Sequence, residues 1–204
     1  GAMSHAKVYV NGQEVGYWPY GYNSFYFDIT KQLMPGKKNT LAVRLENLPE
    51  SSRWYPGAGL YRNVHVIVTE NAYIPVWGTY ITTPTATKEF AKVNVQTKIV
   101  LPEGADASKY SVKTSVWNPN GQKLTEQTIP LSQIKYNDNS LSQEFIIQTP
   151  TLWSPDMPAL YSAETRLYEG DQLKDIYTTP FGIRSIEIIP NKGFFLNGEK
   201  TVFK

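Results

Sequence analysis

Residues 52–64 read SRWYPGAGLYRNV and lead directly into the apolar segment VHVIV at 64–68. Two glycines give this loop backbone freedom, and Trp54 and Tyr55 add flat aromatic surface beside arginine. Aromatic rings cover the C–H faces of a sugar and arginine donates a fork of hydrogen bonds, so the loop suits a sugar or another planar-faced polar ligand. The commoner use of such residues is the corner of a β-sandwich, in which the two rings cap the core and Arg62 pairs with a carboxylate.

Apolar and polar residues alternate along many segments of the chain, which is typical of half-buried strands. Turn signals recur about every 8 to 12 residues, as in a β-sandwich, and Asn11-Gly12 favours a type I′ hairpin turn. No segment places apolar residues at helical spacing over three turns. The sequence therefore predicts an all-β chain. The predicted strands are 7–10, 13–17, 24–29, 40–46, 64–68, 93–99, 112–116, 145–147, 163–167 and 176–177.

The composition changes between residues 71 and 83, and a Thr- and Pro-rich run follows at 82–87. This change predicts a junction between two sandwiches. Residues 186–204 form a further hairpin around Asn197-Gly198 and finish on an apolar strand that nothing covers. Because natural domains rarely leave such an edge open, we expect the chain to be a piece of a longer protein.

Composition excludes several classes of function. The charged residues are spread along the chain without a basic run and sum to a net charge of +2, so nucleic acid is a poor partner. No apolar run is long enough to insert into a membrane. With no cysteine, the chain has no disulfide, thiolate nucleophile or Cys-based metal site. Residues 1–204 contain no recognisable signal peptide, which leaves the periplasm and the cytoplasm of a bacterium both open.

The sequence offers no catalytic or metal-ligating constellation. The only histidines, His5 and His65, are far apart in the chain, and neither has a partner at the spacing of a metal site. Four carboxylates lie near the aromatic loops: Glu14, Asp28, Glu46 and Glu50. None has the apolar neighbours that would raise its pKa as a glycosidase acid requires. We therefore predict no catalytic residue, metal or cofactor within this chain.

Several stretches together resemble one known family. Residues 8–16 (VYVNGQEVG), 27–30 (FDIT), 35–43 (PGKKNTLAV), 52–64, 152–161 (LWSPDMPALY), 181–184 (FGIR) and 193–200 (GFFLNGEK) carry the resemblance. They are similar to the non-catalytic domains of glycoside hydrolase family 2, the group of β-galactosidases, β-glucuronidases and β-mannosidases. The β-galactosidase branch is the most similar.

The resemblance implies a fold and a domain organisation. Residues 1–71 are expected to form part of an N-terminal jelly-roll sandwich of the sugar-binding type. Residues 72–184 are expected to form an immunoglobulin-like β-sandwich. Residues 185–204 are similar to the lead-in of a (β/α)₈ barrel that the chain does not contain.

The resemblance also implies a function for the parent protein, the hydrolysis of terminal β-glycosides, in particular β-galactosides. The family's retaining mechanism uses two glutamates about 5 to 5.5 Å apart, both in the barrel beyond Lys204, so the chain alone is expected to be inactive. In relatives, the segments that match Met3 and the loop residues Arg53, Trp54 and Tyr55 reach toward the sugar. We therefore predict Arg53, Trp54 and Tyr55 as a substrate rim.

The implied partners are the catalytic barrel, a carbohydrate at the rim and a second copy of the chain. A copy is expected because residues 1–70 supply about five strands where a jelly roll has about eight, which leaves a sandwich edge exposed. Two other classes stay open at this stage: a stand-alone carbohydrate-binding module, and an immunoglobulin-like structural or adhesion domain.

Overall fold

The computed structural model describes residues 1–50, 54, 57–133 and 140–202. The described residues form β-strands and the short 3₁₀ helices Thr30–Gln32, Ala107–Lys109 and Leu131–Gln133, with no α-helix among them. The predicted all-β fold is therefore confirmed. No helix in this part of the chain is long and apolar enough to cross a membrane.

Contacts between residues divide the chain into two units, Gly1–Ile67 and Val68–Lys204. Most of the Thr- and Pro-rich run at 82–87 lies inside a strand, Thr79–Ala86, of the second unit. The three-part division into 1–71, 72–184 and 185–204 stays a prediction.

The first unit contains two small antiparallel sheets. Its strands are β1 (Ala2–Met3), β2 (Ala6–Val10), β3 (Gln13–Trp18), β4 (Leu41–Arg44) and β5 (Gly59–Leu60). Strand β2 lies between β3 and β4, and β1 pairs with β5. Alternate residues of β2, namely Ala6, Val8 and Val10, are buried. These small side chains form the apolar face of the three-stranded sheet.

The turn between β2 and β3 is the one predicted from Asn11-Gly12. Both residues have positive φ, 51° and 82°, as a type I′ turn requires. The Asn11 side chain also donates hydrogen bonds to the backbone oxygen of Gln32 and to Asn39 Oδ1, each at 2.8 Å. Thr40 N donates to Asn11 Oδ1 at 3.0 Å. One asparagine therefore shapes the hairpin and holds the segment that leads into β4.

The second unit is a sandwich of two antiparallel sheets. Its strands are β6 (Thr79–Ala86), β7 (Phe90–Lys98), β8 (Tyr110–Trp117), β9 (Lys123–Pro130), β10 (Ser140–Gln148), β11 (Tyr161–Glu169) and β12 (Gln172–Phe181). One sheet has the order β10-β7-β6 and the other β12-β11-β8-β9. The hairpin tip between β11 and β12 lies at Gly170.

The core of the sandwich follows the alternation of its sequence. Val93 and Val95 of β7 and Val112 and Val116 of β8 are fully buried, as their alternation predicted. Val93, Val95 and Val116 belong to one apolar cluster that both sheets contribute to, and Val112 belongs to a second cluster. Buried branched side chains of this kind supply most of the stability of a β-sandwich.

A three-stranded sheet follows the sandwich, with strands β13 (Ile186–Ile189), β14 (Gly193–Leu196) and β15 (Glu199–Lys200). The turn from β14 to β15 uses Asn197 and Gly198, with φ of 53° and 81°, as predicted. Asn197 Oδ1 accepts from Ser185 N at 3.0 Å, and its Nδ2 donates to the backbone oxygen of Trp153 at 3.0 Å. The side chain of the turn therefore ties this hairpin to the loop before β11.

Two predicted strands differ in the structure. Residues 24–29 belong to no strand; instead the Phe25 ring stacks on Trp18 with centroids 5.8 Å apart, and the Phe27 ring fills the space beside Gly16. Residues 64–68 also lie outside the strands and are exposed. A segment with strand propensity forms a strand only where a neighbouring backbone segment supplies hydrogen-bond partners.

Candidate functional site

Two loops of the first unit meet at an exposed surface, here named the aromatic loop cluster: Tyr20, Tyr22, Trp54, Tyr61 and Arg62. One loop follows β3 and the other surrounds β5. Trp54 Nε1 donates to the Tyr22 hydroxyl at 3.0 Å, and Arg62 Nη1 donates to the backbone oxygen of Tyr22 at 3.0 Å. Tyr22 therefore links the two loops through both its side chain and its backbone.

The outer part of the cluster is aromatic and open to solvent. Tyr20 is 54% exposed, Tyr22 41% and Trp54 60%. The rings of Tyr20 and Tyr22 lie with their centroids 5.5 Å apart at an interplanar angle of 58°. Large rings cost free energy when left in water, so three of them at one exposed surface are typical of a binding surface.

Tyr61, which is itself 48% exposed, fixes the geometry of the cluster. The Tyr61 hydroxyl donates to the backbone oxygen of Gly21 at 2.7 Å, and Tyr61 N donates to the backbone oxygen of Gly1 at 3.1 Å. The Arg62 guanidinium carbon lies 5.1 Å from the centroid of the Tyr61 ring, within cation–π range. The cation is therefore held against an aromatic face and a carbonyl oxygen.

The Met3 side chain packs against the loop that follows β3. A Cβ placed on Gly21 would lie 2.3 Å from Met3 Sδ, so a larger residue at position 21 would require the Met3 side chain to move. The pairing of β1 with β5, with Ala2 opposite Leu60, brings Met3 to this place. The first residues of the chain are therefore part of the support of the cluster.

The structure locates one of the three predicted rim residues. Trp54 lies in the cluster, while Arg53 and Tyr55 lie outside the described residues. Trp54 does not cap a core, because it is 60% exposed. Arg62 donates to a backbone oxygen, and the described residues include no carboxylate paired with it. The exposure of Trp54 thus differs from that expected of a ring that caps a sandwich core.

Trp18 lies close in sequence to Tyr20 and Tyr22, but its ring stacks on Phe25. Tyr61 and Met3 support the cluster through contacts with Gly21 that the sequence did not predict. Their roles depend on the pairing of Ala2 with Leu60, two residues far apart in sequence. Local patterns carry no signal for such a pairing.

Three of the four carboxylates near the loops take part in ordinary surface interactions. Glu46 forms an ion pair with Arg44, and Glu14 accepts a hydrogen bond from the Tyr9 hydroxyl at 3.2 Å. Hydrogen bonds from Thr30, through its side chain and its backbone, lower the pKa of Asp28. A lowered pKa is the opposite of what a general acid needs at neutral pH.

The described residues of the cluster therefore present aromatic rings, hydroxyl groups and one guanidinium, which are groups suited to binding. Its rings can stack on the C–H face of a sugar, and the tyrosine hydroxyls can exchange hydrogen bonds with sugar hydroxyls. Among the described residues, no three His, Cys, Asp or Glu side chains lie close enough together to hold a metal ion.

Comparison with known proteins places the chain in a family. The sequence model described as glycosyl hydrolases family 2 matches residues 73–184, more than half of the chain. The chain belongs to this family. The match begins shortly before β6 and ends after β12, so it spans the whole sandwich of the second unit.

Curated relatives extend the similarity of this family 2 chain to its first unit. The β-galactosidase BoGH2A of Bacteroides ovatus is 35% identical over 98% of the chain and 24% of its own length. A β-galactosidase of Thermoanaerobacter pseudethanolicus is 29% identical over 98% of the chain and 27% of its own length. The aromatic loop cluster therefore lies within the region shared with relatives, although outside residues 73–184.

Solved structures of family 2 members have the same fold over this region. A member from Bacteroides cellulosilyticus has a TM-score of 0.87 and 33% identity, over 98% of this chain and 26% of the other. A β-glucuronidase from Bacteroides uniformis has a TM-score of 0.76 and 27% identity, over 97% of this chain and 25% of the other. The chain spans about a quarter of the length of the relatives it matches.

Proposed function

We propose that this chain is a non-catalytic portion of a retaining glycoside hydrolase that acts on terminal β-glycosides, with β-galactosides as the favoured substrates. Membership of family 2 supports the reaction class. The names of two relatives support the substrate class, while others are β-glucuronidases. The catalytic glutamates belong, in this proposal, to a barrel that the rest of the parent protein supplies.

The aromatic loop cluster is the surface that we assign to the sugar. Its outer rings, above all Trp54 at 60% exposure, offer apolar faces to a pyranose ring, and Arg62 stands beside them with its position fixed by Tyr22 and Tyr61. Arg53 and Tyr55 flank Trp54 in sequence and belong to the same proposed rim. Exposed aromatic rings beside a fixed cation are typical of a sugar-facing surface, and this arrangement supports the assignment.

The proposal divides the chain by task. Residues 1–71 form part of a jelly-roll sandwich that carries the rim, residues 72–184 an immunoglobulin-like spacer, and residues 185–204 the lead-in to the barrel. The proposed partners are that barrel, a carbohydrate at the rim and a second copy of the chain along the exposed edge of the first unit. Reading the open reading frame beyond Lys204 checks the barrel directly.

The isolated chain of 204 residues is expected to leave a chromogenic β-galactoside unhydrolysed. The measurement is release of the chromophore by a purified sample, compared with a blank and with the longer gene product. Turnover that disappears when a carboxylate within residues 1–204 is replaced would overturn the proposal, because the catalytic pair would then lie in this chain.

The rim is tested with Trp54→Ala in the longer gene product. Loss of one stacked ring is expected to raise KM for a β-galactoside about tenfold, equivalent to about 1.4 kcal/mol, with kcat little changed. Trp77→Ala is the matched control, since Trp77 is equally exposed, at 58%, but lies in the second unit. An unchanged KM in Trp54→Ala, or an equal effect of both substitutions, would contradict the rim.

Three exposed rings at one surface also fit a stand-alone carbohydrate-binding module. Calorimetric titration of the isolated chain with galactosides separates the two functions. Binding at millimolar concentration that Trp54→Ala abolishes favours the module, whereas no binding by the isolated chain favours a rim that works only beside the barrel.

A further inference from the structure

The core of the second unit contains polar side chains between its two apolar clusters. Along the chain, the residue two positions before each of these side chains belongs to one cluster, and the residue two positions after belongs to the other. Each is at most 1% exposed, and each comes from a different strand. They are here named the polar layer: Thr97 of β7, Thr114 of β8, Gln143 of β10 and Thr165 of β11.

Side-chain hydrogen bonds cross the sandwich at two places along this layer. Thr114 Oγ1 donates to Gln143 Oε1 at 2.6 Å, which links β8 of one sheet to β10 of the other. The hydroxyls of Thr79 and Thr179 share a hydrogen bond, which links β6 to β12. Strand β7 lies between β10 and β6, and β11 lies between β12 and β8. The two bonds therefore flank the central strands β7 and β11.

Thr97 lies on the inner face of its sheet between these two bonds. It is directly opposite Thr79 in the ladder of β6 and β7. In the ladder of β10 and β7 it is opposite Leu141, which makes Gln143 its diagonal neighbour on the same face. Thr97 is fully buried, yet no described residue forms a hydrogen bond with its Oγ1. A buried hydroxyl without a partner costs free energy, and buried polar groups are usually satisfied by the protein or by ordered water.

Thr165 has the equivalent place on the other sheet. It is directly opposite Thr114, and Ala163, two residues before it, is opposite Thr179. Thr114 gives its one hydroxyl hydrogen to Gln143, so in the 3.3 Å contact between the two threonine oxygens Thr165 is the donor. The Thr165 oxygen is then free to accept a hydrogen bond. Thr97 and Thr165 thus face each other across the core, each with hydrogen-bonding capacity to spare.

We propose that one water molecule is bound between Thr97 and Thr165, in the middle of the second unit. Packed sheets lie about 10 Å apart, and two short side chains that face each other leave a gap between their ends. A water bridges about 5.5 Å between two hydroxyl oxygens, twice the usual O–H···O distance. It accepts from Thr97 Oγ1 and donates to Thr165 Oγ1. Its second hydrogen has the neighbouring hydroxyl pair of Thr79 and Thr179 as acceptor.

The chemistry of the site suits water rather than an ion. The polar layer consists of three hydroxyls and one amide, and a buried ion without an opposite charge is strongly disfavoured. Water donates and accepts at once, and a buried water typically makes about three hydrogen bonds to polar groups that would otherwise lack partners. The inference concerns the second unit alone and goes beyond the proposed function, so its test leaves the sugar rim to be judged by Trp54→Ala.

Thr97→Val tests the water through stability, because valine keeps the shape of threonine and removes the hydroxyl. With a bound water, the substitution takes away one of its partners, and the midpoint of urea unfolding of the intact chain is expected to fall. A hydroxyl that simply lacked a partner would give the opposite sign, since its removal would leave the midpoint unchanged or raise it. The matched control is Thr178→Val, the same change at an exposed position of β12, which should leave the midpoint unchanged.

A high-resolution crystal structure of the intact chain locates the water directly. We expect one water within hydrogen-bond distance of both Thr97 Oγ1 and Thr165 Oγ1. The same water should be present in Thr178→Val and absent in Thr97→Val. Magnetic relaxation dispersion of water nuclei should count one fewer long-lived water in Thr97→Val than in Thr178→Val. The proposal is overturned if no water lies between the two hydroxyls, or if the midpoint of Thr97→Val equals or exceeds that of the unsubstituted chain.

Discussion

Gln143 is a polar side chain held in the core of the second unit, only 1% exposed. Its Oε1 accepts a hydrogen bond from the Thr114 hydroxyl at 2.6 Å, and its Nε2 donates to the backbone oxygen of Gln127 at 3.0 Å. Gln143→Met removes both bonds and leaves the buried Thr114 hydroxyl with only its longer contact to Thr165 Oγ1, at 3.3 Å. We expect a loss of about 1 to 3 kcal/mol in the free energy of unfolding, measured by urea titration.

Gln148→Met is the matched control for Gln143→Met. It makes the same chemical change on the same strand, β10, but at an exposed position. Its effect is expected to stay within about 0.5 kcal/mol. Equal effects of the two substitutions would show that the buried bonds of Gln143 contribute nothing beyond packing.

The burial of single residues was predictable from the sequence where residue type and burial agree, and it was not predictable where they differ. The burial of Val93 and Val95 follows from their alternation with polar residues, because alternate residues of a strand lie on one face and an apolar face packs on the core. The burial of Gln143 was not predicted, since it depends on Thr114 and Gln127, which reach it from β8 and β9. The rim residue Trp54 stays a prediction from the family resemblance, and its hydrogen bond to Tyr22 depends on two loops that are far apart in sequence.

Strands β8 and β9 are connected by ion pairs, in which one carboxylate lies between two lysines. Glu126 lies 3.1 Å from Lys113 and 2.9 Å from Lys123. Hydrogen bonds from Lys123 and then Lys113 lower the pKa of Glu126 from 4.5 to about 2. A carboxyl whose pKa is lowered by folding stabilises the fold above the unfolded pKa, and this contribution is lost as the pH falls from 4.5 toward 2.

Glu126→Gln is therefore expected to make the stability of the chain less dependent on pH between 4.5 and 2. Because the group is at the surface, the change is expected to be small. Carboxyl chemical shifts followed by NMR provide the direct measurement, with a midpoint for Glu126 near pH 2 in the folded chain. Lys113→Met should move that midpoint upward, and a midpoint near 4.5 in the unsubstituted chain would contradict the lysine contacts.

Strands and turns were predictable to different degrees. The Asn-Gly turns at 11–12 and 197–198 were predicted because they need positive φ, which few residues adopt. The strands at 24–29 and 64–68 were not found, because a strand depends on a neighbour that local sequence does not specify. Residues 24–29 are held by aromatic packing instead, and residues 64–68 have no neighbour in the structure.

For the whole molecule, the two units differ in how much apolar surface they bury. The buried apolar side chains among the described residues of 1–67 are small: Ala2, Ala6, Val8 and Val10. Residues 68–204 hold two clusters that include Phe145, Tyr161, Leu141 and Leu167. Since buried apolar area is the main source of stability, the first unit is expected to open more readily than the second.

Hydrogen exchange followed by mass spectrometry measures this difference along the chain. We expect peptides from residues 1–67 to exchange well before those from β7, β8 and β11, whose inward residues are fully buried. A shortened chain of residues 68–204 should then unfold with the same midpoint as the more stable part of the intact chain. Equal exchange in the two units would contradict the expected difference in stability.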